Sequence, residues 1–239
     1  MTVKISSPAG FFPARFAEGR ARFRDAATAA GAKLESHANP EKGPDGEALS
    51  TETAWLGPQD AGRLLLAMAG THGAEGFCGS GIETGWLETG QLKHLPADTA
   101  VLLIHAINPY GFAWVRRVNE DNIDLNRNFV DHAKPRPENP RYRELRDAIC
   151  PADWSAESER QNRARMLAYA EAHGRMALQA AIMQGQYVDD EGVCYGGTAE
   201  SWSNRTLRAI LTPHAGHVRK FGFIDLHTGL GPYGYGEII

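Results

Sequence analysis

Cysteine is scarce: Cys78, Cys150 and Cys194 are the only ones in 239 residues. An odd number at wide spacing excludes a disulfide framework and predicts free thiols in a reducing, cytoplasmic setting. Long hydrophobic runs are missing too. The longest, Leu64–Gly70, falls well short of the roughly 18 residues that a membrane span needs. Met1 to Arg24 mixes charged and small residues, without the apolar centre of a secretory signal. Positive charge is not in surplus, since 25 Lys plus Arg face 29 Asp plus Glu, a net charge of −4. Neither nucleic acid nor a membrane surface is therefore the expected partner. The serine-hydrolase pattern G-x-S-x-G and the zinc-protease pattern H-E-x-x-H are absent. Gly70, Gly73, Gly76, Gly79 and Gly81 fit no phosphate-binding spacing.

What remains is ordinary globular composition, 42% hydrophobic and 23% charged, in a length that suits one domain spanning residues 1–239. A helix is predicted over Pro13 to Gly31, followed by strands at Ala32–His37 and Leu49–Leu56. Arg63–Ala69, Thr99–Ala106 and Phe221–Leu226 read as buried strands because their apolar residues run almost without a break. Residues 76–89 look helical, and an irregular passage follows from Asn108 to Pro140. Further helices are expected at Arg141–Ile149, from Ser158 to Gln184 with Ser158 and Gln161 at capping-box spacing, and at Trp202–His217 with a break at Pro213. Strands alternating with helices predict an α/β fold with a mixed, mostly parallel sheet of about five strands and helices on both faces.

Ligands in such folds gather beyond the carboxyl ends of strands. Three predicted strands end in Thr71-His72-Gly73-Ala74-Glu75, Asn108-Pro109-Tyr110-Gly111 and His227-Thr228-Gly229. In the first, H-x-x-E can fold a carboxylate back beside an imidazole, and His227 adds a second imidazole. Two His and one Glu form the nitrogen and oxygen donor set of catalytic zinc, with a fourth position left for water. A strand-end histidine is also often just a hydrogen-bonded loop residue, so the motif needs its context. That context is Arg116 to Phe129, rich in Arg and Asn. Its guanidinium groups either line a carboxylate-binding hollow or pair at the surface with Glu120, Asp121 and Asp124.

The order H-x-x-E, N-P-x-G, R-x-N, D-L-N-R-N-F and a strand ending D-L-H-T-G resembles the zinc carboxypeptidase family. It is closest to the bacterial branch near the murein-peptide amidases and the succinylglutamate desuccinylase/aspartoacylase group, over roughly Gly62 to Gly231. The resemblance implies that His72, Glu75 and His227 are zinc ligands and that Arg117, rather than Arg116, polarises the scissile carbonyl. It assigns the substrate carboxylate to Asn126 and Arg127, and the orientation of the first zinc histidine to Asp124. The implied activity is zinc-dependent hydrolysis of an amide bond beside a carboxylate-bearing residue, in a small peptide or an acyl-amino acid. Alternatives are an N-acyl amino acid deacylase and a zinc- and carboxylate-binding module without catalysis. The family's general-base glutamate lies well downstream of the third ligand, whereas Glu237 follows His227 too closely. The expectation is therefore a chain lacking its C-terminal strands, with an open edge at Phe221–Leu226 that a continuation or self-association covers.

Overall fold

Continuous apolar sequence builds the centre of the sheet. In this computed structural model, which describes residues 7–238, the strands are β1 (Lys33–Lys42), β2 (Ala48–Leu56), β3 (Arg63–Ala69), β4 (Thr99–His105) and β5 (Lys220–Leu226). Their order is β1-β2-β4-β3-β5. The β1–β2 and β2–β4 pairs are antiparallel, whereas β4–β3 and β3–β5 are parallel, so the sheet is mixed. The two most apolar strands, β3 and β4, are interior and almost wholly buried.

The chain forms two compact units, one comprising the residues up to Asn119 together with those from Arg205 onward, the other Glu120–Asn204. The sheet lies in the first. Helix α1 (Phe16–Ala29) turns Phe16, Phe23, Ala26 and Ala27 inward, and Gly31 ends it with φ +76°, a conformation that suits glycine. Phe23, Ala26 and Ala27 pack with Ala54, Leu56, Ala67, Val101 and Leu103 on one sheet face. On the other face Trp55 stacks on His214, their rings 4.3 Å apart. Beneath α1, the buried Glu52 carboxylate accepts from Ser36, Ser50, Arg20 and Arg24. Burial opposes its ionisation, but those four partners hold its pKa below the usual glutamate range.

Helix α2 (Gly76–Glu88) uses its glycines for close packing rather than for a ligand. A Cβ on Gly79 would stand 2.6 Å from that of Ala69, so the helix lies directly on β3. The passage from Asn108 is less irregular than expected: it holds two short helices, α3 (Pro109–Ala113) and α4 (Leu125–Asn128). Asn108 and Asp124 cap them by accepting from Gly111 N and Asn126 N, a local role for which Asn and Asp side chains are suited.

The second unit contains α5 (Pro140–Ile149), α6 (Ala156–His173) and α7 (Arg175–Met183). The single helix expected from Ser158 to Gln184 is thus two. Gly174, at φ +89°, separates them, and Ser155 rather than Ser158 caps the first by accepting from Ser158 N. Helix α8 (Trp202–Leu211) then passes into a short 3-10 turn at Thr212–His214, as the proline predicts. Strand β5 departs from expectation: five of its seven residues are exposed, and among the described residues it pairs with β3 alone, at the sheet edge. Among the described residues no helix is long and apolar enough to cross a membrane.

Candidate metal centre

The parallel strands β3 and β5 run side by side in register from Arg63↔Lys220 to Ala69↔Leu226. Their carboxyl ends therefore emerge together, although the sequence between them is long. Past β3, the chain turns through Thr71 and His72 into a single 3-10 turn, Gly73–Glu75, which brings Glu75 back beside His72. Past β5 comes His227. His72 Nδ1 lies 2.8 Å from Glu75 Oε1, and His227 Nδ1 lies 3.3 Å from Oε2 of the same carboxylate. The two imidazole rings are 4.9 Å apart. One donor atom from each of the three residues falls within 4.8 Å of the others. His72 is buried, Glu75 partly so and His227 the most open.

These donors fit a divalent cation of the zinc type. The set is two imidazole nitrogens and a carboxylate, the three protein donors that a catalytic rather than a structural zinc site takes. Both histidines direct the same nitrogen, Nδ1, at Glu75. His227 Nε2 is then free to face Asp225 Oδ2 at 2.8 Å, while Thr71 Oγ1 donates to Asp225 Oδ1 at 2.8 Å. Such a carboxylate behind a ligating histidine fixes its tautomer and orientation. Sequence reasoning missed Asp225. The signal was present in D-L-H, since residues two apart on a strand share a face.

Charge is balanced tightly here. Burial works against an ionised Glu75, but hydrogen bonding with His227, with His72 and from the Thr228 N–H at 2.5 Å outweighs it and holds the pKa well below the carboxylate range. Hydrogen bonding to Asp225 and then to Glu75 pushes His227 up to about 10. A cation at this place would replace the imidazolium proton with charge of the same sign.

The sequence-predicted residues divide between the units. His72, Glu75 and His227 come together in the first, and Arg117 joins them, its guanidinium 4.0 Å from Glu75 Oε1. The loop bearing Arg117 lies directly on the H-x-x-E loop. Gly73 N donates to Arg117 O at 3.3 Å and Ala74 N to Arg116 O at 3.1 Å. A Cβ on Gly73 would stand 1.9 Å from the Gly111 carbonyl carbon, so only glycine permits this approach. Asp124, Asn126 and Arg127 belong to the second unit. There Asp124 caps α4, and the Arg127 guanidinium donates to the carbonyls of Asn126 and Met183. Glu237 is exposed beside Gly231. His105 is the buried core histidine the sequence predicts, with Nε2 2.8 Å from Ser80 Oγ and burial lowering its pKa to about 4.

Residues 12–239 match the family described as "Protein of unknown function (DUF2817)", and the chain belongs to that family. No curated protein sequence matches it. Among solved structures, the glutaminyl cyclase of Fimbriiglobus ruber is 12% identical, with a TM-score of 0.31, over 41% of this chain and 40% of that one. Thrombin activatable fibrinolysis inhibitor (TAFI) is 16% identical over 94% of this chain and 50% of its own, with a TM-score of 0.46. A Zn-dependent exopeptidase from Parabacteroides distasonis is 13% identical over 87% of this chain and 74% of that one, at a TM-score of 0.32. The chain thus spans about half the length of TAFI, and less of the Fimbriiglobus enzyme.

Proposed function

We propose that this member of the DUF2817 family is a zinc-dependent hydrolase that cleaves an amide bond beside a carboxylate-bearing residue. The observation that carries the reading is the convergence of His72 Nδ1, Glu75 and His227 Nδ1 at the carboxyl ends of two parallel strands. These three residues would hold the cation. When bound, zinc supplies Lewis acidity, which polarises a carbonyl and acidifies water. Asp225 holds the His227 ring in place from behind. Arg117, beside Glu75, supplies a positive donor for the negative charge that develops on the carbonyl oxygen. The family resemblance gives Asn126 and Arg127 the substrate's carboxylate, for which a guanidinium fork is suited. The same resemblance leaves the substrate open between a small peptide and an N-acyl amino acid.

Elemental analysis of the purified chain, paired with a panel of peptides and acyl-amino acids, tests this. One zinc per chain and turnover of one substrate class are expected. His72→Ala or His227→Ala should abolish stoichiometric zinc, because two remaining ligands do not hold a structured site. Retention of one zinc by either variant would refute the ligand set. Zinc and carboxylate binding without any turnover would instead support a binding module.

A further inference from the structure

Val115 has φ +53°. Among the described residues, non-glycine positive φ also occurs at Asp98, Asn122 and Cys194, but only Val115 is β-branched, the side-chain type least suited to that region. Its own packing does not explain the conformation, since it is 61% exposed.

The backbone around it does explain it. Helix α3 ends at Trp114, Val115 N donates to Phe112 O at 3.2 Å, and Arg116 N donates to Gly111 O at 2.8 Å. This is the paired-bond helix stop that normally takes glycine at the left-handed position. The reversal aims the next two carbonyls at the metal loop, where Arg116 O and Arg117 O accept from Ala74 N and Gly73 N. Those two amides lie between His72 and Glu75. A strained turn is kept where surrounding structure over-determines it, and here hydrogen bonds hold it from both sides.

We propose that the left-handed turn at Val115 is a positioning device for the metal loop: by setting the Arg116 and Arg117 carbonyls against Ala74 and Gly73, it governs how tightly His72 and Glu75 grip a divalent cation. The inference rests on the zinc reading above. It makes backbone conformation at position 115, rather than the valine side chain, the quantity that matters.

The test is the zinc dissociation constant of the full chain, measured by competition with a chromophoric chelator, together with amide exchange at Gly73 and Ala74. Val115→Gly, which accepts the left-handed turn freely, should bind zinc as tightly as wild type or tighter. Val115→Pro, which has no N–H and cannot reach positive φ, should bind on the order of 10–100-fold more weakly, the usual loss when support behind a ligand is removed. It should also lose exchange protection at both amides. Gly73→Ala opens the same joint from its other side and serves if Val115→Pro does not fold. Its loss should be comparable and, in the double variant, not additive with that of Val115→Pro. Wild-type affinity in a folded Val115→Pro, or in Gly73→Ala where Val115→Pro does not fold, or equal loss in Val115→Gly and Val115→Pro, would overturn the inference alone. Absence of stoichiometric zinc from the wild type would overturn the functional reading, and the inference with it.

Discussion

Two carboxyl groups of the sheet unit, one partly and one fully buried, show how differently an acid can be treated. Asp225 is met by Thr71 and His227, and on the zinc reading its role is to orient His227. Asp225→Asn keeps the shape but removes the charge, so zinc affinity should fall about 10–100-fold, measurable by chelator competition; an unchanged affinity would remove Asp225 from the site. Glu83 on α2 is fully buried, and a backbone contact at Ile104, too poorly aligned to satisfy either oxygen, is its only relief among the described residues. Burial raises its pKa well above the ordinary value, so the folded chain keeps this proton after the unfolded chain has lost it. Its contribution to stability is therefore full below about pH 4.3 and declines as pH rises toward the folded-state pKa. Glu83→Met should flatten that decline and stabilise the protein near neutral pH by about 1–3 kcal/mol, read from thermal melts across the pH range. The convergence of His72, Glu75 and His227 was legible because H-x-x-E and D-L-H carry their spacing in the sequence. Asp225 was not singled out, and the αL conformation of Val115 has no sequence signature at all, since valine is the residue least expected there.

At the level of elements, α2 rests on β3 through a glycine. Gly79→Ala should gain about 1 kcal/mol in helix propensity but lose about 1–3 kcal/mol to overpacking. The second effect wins because the new Cβ meets the Cβ and Cα of Ala69, at 2.6 and 3.2 Å, rather than a flexible side-chain end. A lower melting temperature is the expected result, and a raised one would show that α2 can lift from the sheet. Strands β3 and β4 were readable because unbroken apolar sequence marks a buried strand. The division between α6 and α7 was not, because Ala-rich sequence without proline favours helix throughout and a lone Gly174 costs only about 1 kcal/mol unless it leaves helical φ. The burial of β5 was misjudged for a related reason. Apolar content reports what a strand prefers, not how many neighbours it has.

For the molecule as a whole, that edge is where self-association is predicted to act. Phe221, Phe223 and Ile224 are each about half exposed along a strand that, among the described residues, is paired on one side only, and unprotected edges of this kind invite pairing with another strand. Sedimentation of the wild type should show association that grows with concentration, and Phe223→Lys should suppress it. A wild type that stays monomeric throughout would refute self-association through β5.

The residues proposed to hold zinc also straddle a long stretch of chain: Glu75 and His227 are 152 residues apart in sequence. Half of the grip is local and forms with one turn; the other half must wait until β5 has found β3, a pairing with a large entropy of closure. During refolding from denaturant, capture of zinc should consequently trail the recovery of helical circular dichroism, making the ion a clock for the latest step of assembly.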